Sequence, residues 1–109
     1  MRKFQVAFNG IWQALKHRAV LIQVVLGVFT ILAGFILNID YYEWLIVLIL
    51  IGLVIGFEML NTAIEKVCDF IEPKYNEKIK VIKDIASGAV LFICLTAMVI
   101  GIIVAFKHL

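Results

Sequence analysis

The sequence predicts an all-α membrane protein: an amphipathic amino-terminal helix on the membrane surface, followed by three transmembrane helices. Three observations carry this. Of 109 residues, 64% are hydrophobic and only 17% charged, with a mean hydropathy of +1.08. A soluble domain of that size has no way to cover so much apolar surface. The apolar residues also fall into three runs able to reach spanning length, and the basic residues gather at one side of those runs.

Residues 1–17 form the surface helix. Phe4, Ala7, Phe8, Ile11, Trp12 and Leu15 share one helical face, and Arg2, Lys3, Gln5, Asn9, Gln13 and Lys16 take the other. A short basic helix with Phe and Trp on its apolar side suits the plane of a membrane. Packing on a soluble partner is the plainer alternative, and the neighbouring spans disfavour it. The first span, 19–37, has Gln23 and Thr30 as its only polar side chains. It begins too far along the chain for a removable signal peptide. The second span, 44–65, opens with fourteen uncharged residues from Trp44 to Phe57 and reaches full length only by taking in a polar segment. The third, 85–106, is uncharged over twenty-two residues, enough to cross with some tilt. Gly52 and Gly56, and the run Ala86-Ser87-Gly88-Ala89, are places where another backbone can approach closely.

Pro73, the chain's one proline, ends the second helix near Ile71–Glu72. The stretch 73–83 reads as a short polar loop that enters the third helix through Lys83-Asp84. No internal repeat is present, and 1–109 reads as one domain. Arg2, Lys3, Lys16 and Arg18 precede the first span, and Lys66, Lys74, Lys78, Lys80 and Lys83 lie between the second and third, so nine of ten basic residues share a side. The positive-inside rule makes that side cytoplasmic, with the amino end inside and the carboxyl end outside. Tyr41, Tyr42 and Trp44 mark the outer interface as an aromatic belt. Cys68 and Cys94 form neither a CxxC nor a zinc pattern and read as small apolar residues. A net charge of +2 without an aromatic-basic groove argues against a nucleic-acid partner.

The most informative residues are polar ones inside a hydrophobic helix. Glu58, Asn61, Thr62, Glu65 and Asp69 fall within roughly 100° of arc on one face. At about 1.5 Å per residue, Glu58 lies ~21 Å beyond Trp44, inside a hydrocarbon core of ~30 Å. An ionisable group there costs about 2.5–3.5 kcal/mol on insertion scales, which makes it a functional candidate. Carboxylates at the membrane boundary facing lysines can hold a hydrated Mg²⁺ and the phosphates it binds. A deeper carboxylate, Glu58, can take a proton from a lipid hydroxyl. The alternative is a polar zipper that holds membrane helices together. Lys83 complements phosphate charge and Asp84 can bind metal or orient an amine, although a Lys-Asp pair before a span also serves as an interfacial anchor. There is no GxxxxGK[ST] and no GxGxxG, so any nucleotide site is of another kind.

Glu58-Met-Leu-Asn61-Thr62-Ala63-Ile64-Glu65, then Asp69, then Lys83-Asp84-Ile-Ala-Ser87-Gly-Ala-Val, resembles the signature of the small prokaryotic lipid kinases, the diacylglycerol kinase and undecaprenol kinase family. The resemblance covers nearly the whole chain. It implies Mg-ATP-dependent phosphorylation of a lipid alcohol by a homotrimer in the bacterial cytoplasmic membrane, with sites shared between subunits. It makes Glu58 the catalytic base, facing the lipid substrate with Ser87 nearby, Glu65 a metal ligand, and Asn61 a site-organising residue. Asp69, Lys83 and Asp84 become nucleotide-side residues, and Lys74-Tyr75-Asn76 matches a nucleotide-contacting part of the cytoplasmic loop. The Asn61-to-Glu65 wording and the Tyr-Tyr-Glu43-Trp44 loop lean towards the undecaprenol-type branch. One departure stands out. The family usually places a metal-binding Glu after the surface helix, where this chain reads Lys16-His17-Arg18-Ala19, with no acid before Asp40. Two functions therefore stay open: an active lipid kinase, and a weakened relative acting as a membrane scaffold or subunit. A transporter using Glu58 would need polar groups farther out, and 44–57 has none.

Overall fold

A computed structural model describes residues 2–109 as four helices, with no strand among the described residues. Three of them are long and apolar enough to cross a membrane. The first helix, α1 (Arg2–Leu15), buries none of its residues against the rest of the chain, and Phe4, Phe8 and Trp12 stand exposed along one face. It stops two residues short of the expected end, because Lys16 and His17 form the turn into α2 (Arg18–Leu37).

Two short connections fix the remaining order. α2 closes on Asn38 in the left-handed conformation (φ 57°), with Asn38 N–H donating to the Phe35 carbonyl and Ile39 N–H to that of Gly34. Asparagine is among the few side chains that tolerate this geometry, and the paired bonds satisfy carbonyls the helix end would orphan. Asp40 then caps α3 (Tyr41–Ile71). Its carboxylate accepts from Glu43 N–H at 2.9 Å, and the Glu43 carboxylate accepts from Asp40 N–H at 3.0 Å. This reciprocal capping box makes the turn sharp.

At 31 residues α3 is about 46 Å long, well beyond a hydrocarbon core of ~30 Å. It lies centrally, packing most extensively on α4 (Glu77–His108) and next on α2. The start of α4 corrects the sequence reading of 73–83 as a loop. Only Glu72–Asn76 connects the helices, and two turns of α4 precede Asp84. Asn76 sets this start, its side-chain oxygen accepting from Lys78 N–H at 2.9 Å and Ile79 N–H at 3.2 Å, with Glu77 in the first turn where the helix dipole favours an acid.

Close backbone approach also occurs elsewhere than expected. A Cβ at Gly34 would lie 2.7 Å from the Trp44 ring, and one at Gly27 3.0 Å from Ile51 Cγ2, so α2 sits on α3 through these two glycines. Gly52, Gly56 and Gly88 face open space within the chain. Trp44, expected at the outer interface, packs over Gly34 and against Phe35, with ring centroids 4.8 Å apart. Tyr41 and Tyr42 remain exposed.

Candidate functional site

The polar stripe of α3 is joined by hydrogen bonds as its spacing allows. Asn61 lies one turn from Glu58 on one side and from Glu65 on the other, and its amide donates to both: 3.0 Å to Glu65 Oε1 and 3.4 Å to Glu58 Oε2. Thr62 Oγ1 donates to the Glu58 carbonyl at 3.0 Å. Glu58 and Asn61 are each only 8% exposed, whereas Glu65 and Asp69 open to the surroundings. The two carboxylates fix the amide's orientation, since the opposite one would set oxygen against oxygen. That leaves Asn61 Oδ1 pointing away, buried and without a partner among the described residues. An unsatisfied buried acceptor costs about 1–3 kcal/mol, so this is a group that a ligand or a second copy would satisfy.

The donor set suits a metal held jointly with a nucleotide better than one caged by protein. No group of three His, Cys, Asp or Glu side chains converges among the described residues. Glu65 nevertheless offers an exposed carboxylate with one oxygen uncommitted to Asn61. Mg²⁺ is commonly held by one or two carboxylates plus phosphate and water.

Farther along, Asp69 on α3 meets Lys83 on α4 in a short salt bridge, and Lys80 pairs with Asp84 at 2.6 Å. The second pair is an i,i+4 contact that a loop over 73–83 would not have formed. Lys74, Tyr75, Asn76, Lys83 and Asp84 all line one cavity of about 290 Å³ at the turn between α3 and α4, together with Glu72 and Lys80. Five of the six residues expected on the nucleotide side thus surround one space, and the sixth, Asp69, holds the lysine on its wall. Asn76 is partly committed, its side-chain oxygen being spent on capping α4. Ser87 is exposed on α4, and no hydrogen bond among the described residues links it to the stripe.

A second polar cluster, absent from the sequence reading, occupies the opposite end of the α3–α4 pair. Lys107 Nζ lies 3.1 Å from Asp40 Oδ2 and 3.3 Å from Glu43 Oε2, while His108 Nε2 lies 2.7 Å from Glu43 Oε1. The Glu43 side chain is only 10% exposed. The Glu43 N–H and then the Lys107 ammonium hold the Asp40 carboxyl below its ordinary range. These partners are 65 and 67 residues apart, so only the antiparallel pairing of α3 and α4 unites them.

With this geometry, the chain matches a family model described as "Prokaryotic diacylglycerol kinase" over residues 5–105. It is 32% identical over 109 residues to an undecaprenol kinase of Bacillus subtilis, covering 99% of this chain and 89% of the relative. It is also 33% identical over 100 residues to a diacylglycerol kinase of a Synechocystis species. That match covers 90% of this chain and spans 57% of the cyanobacterial protein.

Proposed function

The chain belongs to the prokaryotic diacylglycerol kinase family and is a lipid kinase of the diacylglycerol and undecaprenol kinase type; on that premise we propose that it moves the terminal phosphate of Mg-ATP to the hydroxyl of a membrane lipid alcohol at the cytoplasmic face. One observation carries the reading: Asn61 ties a buried carboxylate, Glu58, to an exposed one, Glu65, along a single helix face that continues to the Asp69–Lys83 pair. The buried group suits an alcohol whose chains stay in lipid. The exposed groups suit a phosphate donor arriving from water.

In this mechanism Glu58 takes the proton of the lipid hydroxyl as its oxygen bonds to the terminal phosphorus, and ADP leaves with the electrons of the broken P–O bond. Asn61 keeps the two carboxylates at fixed spacing. Lys83 and Lys80 supply positive charge at the cavity that Lys74, Tyr75 and Asn76 line. Glu65 would hold Mg²⁺, which neutralises developing charge on the phosphates. The residues act in one domain, 1–109, of the bacterial cytoplasmic membrane with the amino end inside. The functional unit is a homotrimer whose sites are shared between copies.

The test is transfer of label from γ-³²P-ATP to a panel of lipid alcohols by the purified chain in detergent-lipid micelles. Mg²⁺-dependent labelling of undecaprenol or diacylglycerol is expected, and labelling of neither would overturn the reading. A second reading, a weakened kinase kept as a scaffold, is favoured by one fact: α1 and the turn into α2 bring Lys16, His17 and Arg18 where the family usually supplies a carboxylate.

A further inference from the structure

Three lysines, Lys74, Lys80 and Lys83, line the cavity of about 290 Å³ at the turn between α3 and α4, yet their charge is fully matched. Glu72 and Asp84 line the same space, and Asp69 reaches it through Lys83. Three ammonium groups therefore meet three carboxylates, and the charges of the wall cancel. Two of the pairings are direct: Lys80 Nζ lies 2.6 Å from Asp84 Oδ2, and Lys83 Nζ makes a short contact with Asp69 Oδ1. Glu72 is committed to the turn itself, its carboxylate accepting from Lys74 N–H at 3.2 Å.

Both direct pairs are open to water. The side chains of Asp84 and Asp69 are each 62% exposed, and those of Lys80 and Lys83 57% and 36%. An ion pair so exposed contributes little, because water screens it and two long side chains lose freedom in making it. A polyphosphate offers the same ammonium groups several anionic oxygens at once. Lys80 and Lys83 are three residues apart on α4 and so share a face, which puts both within reach of one such chain. We propose that the cavity takes the polyphosphate of its ligand by ion-pair exchange: Lys80 and Lys83 pass from Asp84 and Asp69 to phosphate oxygens, and the released carboxylates turn to water or to a cation that accompanies the phosphate. The two acids then oppose phosphate binding and set a charge threshold that a weakly charged anion does not cross. The inference rests on the reading of this cavity as the nucleotide side of the site.

The test is calorimetric titration of the full chain in micelles with sodium tripolyphosphate, in EDTA and at low salt. Asp69→Asn and Asp84→Asn should each tighten binding about threefold, and Lys83→Gln and Lys80→Gln should each weaken it about threefold. The opposite signs within one pair are the signature, since a pair that only held α3 and α4 together would be broken alike from either side. Glu77→Gln, which removes the same charge from outside the cavity, should change binding less than Asp69→Asn does. Weaker binding in both Asp variants would make the acids ligands and overturn the proposal. Equal tightening by Glu77→Gln would overturn it too, as would failure of the unaltered chain to bind tripolyphosphate. Each of these results leaves phosphate transfer from γ-³²P-ATP as a separate measurement of the underlying reading.

Discussion

The two ends of the α3–α4 pair carry similar side chains arranged to opposite effect. At the end that holds Asp40, each carboxylate oxygen of Asp40 and Glu43 has a partner: a backbone N–H, the Lys107 ammonium or the His108 ring. Towards the other end, Glu58 receives one long side-chain hydrogen bond, and Asn61 Oδ1 receives none among the described residues. A completed polar network rigidifies, whereas an incomplete one in a buried place is costly unless something else completes it. The Asp40 cluster therefore clasps the helix ends, whereas the Glu58 stripe keeps polar capacity that a ligand or a second copy would satisfy.

The largest expected effect tests that contrast at its deepest point. Glu58→Gln keeps shape and hydrogen-bonding capacity but removes the base, and phosphotransfer should fall by about 10²–10⁴-fold in chains that still assemble and bind Mg-ATP. If the oligomer dissociates while surviving assemblies turn over normally, Glu58 is structural glue and the two ends do not differ in kind. Glu65→Gln should have a smaller effect, raising the Mg²⁺ concentration needed for half-maximal rate; an unchanged metal titration would remove Glu65 from the metal site. Smaller again is Arg18→Glu, which restores an acid beyond α1. It should raise activity or metal affinity, and no change in a Mg²⁺ titration would mean that another group already completes the site.

At the Asp40 end the same kind of change should touch stability alone. Glu43→Gln should lower the thermal midpoint of the solubilised chain and leave the phosphotransfer rate as it was. The clasp should also weaken in acid. Because the folded state holds the Asp40 carboxyl below its ordinary value, Asp40 contributes stability above the unfolded pKa of about 4 and loses it as pH falls through the lower folded value. A thermal midpoint that did not fall between pH 5 and pH 3, relative to an Asp40→Asn variant, would remove this contribution.

What the sequence made legible follows from period and spacing. Three long apolar helices, the helical face of α1 and the alignment of Glu58, Asn61 and Glu65 were all readable at 3.6 residues per turn. The start of α4 is hidden because the lysines of 78–83 are as polar as a loop and follow a helix-ending Pro73, although Asn76-Glu77 is itself a helix-start signal. The Lys80–Asp84 pair was lost with it. The clasp was not legible, since Lys107 and His108 meet Asp40 and Glu43 only through tertiary pairing.

The most direct test of the difference between the ends is the position at which a lipid alcohol touches the chain. A short-chain lipid alcohol with a diazirine beside its hydroxyl can be photolysed on the reconstituted protein and its adducts located by peptide mass spectrometry. Adducts are expected within the segment from Glu58 to Glu65, reduced by competing unlabelled lipid alcohol. Adducts confined to Asp40–Trp44 or to the last turns of α4 would contradict it.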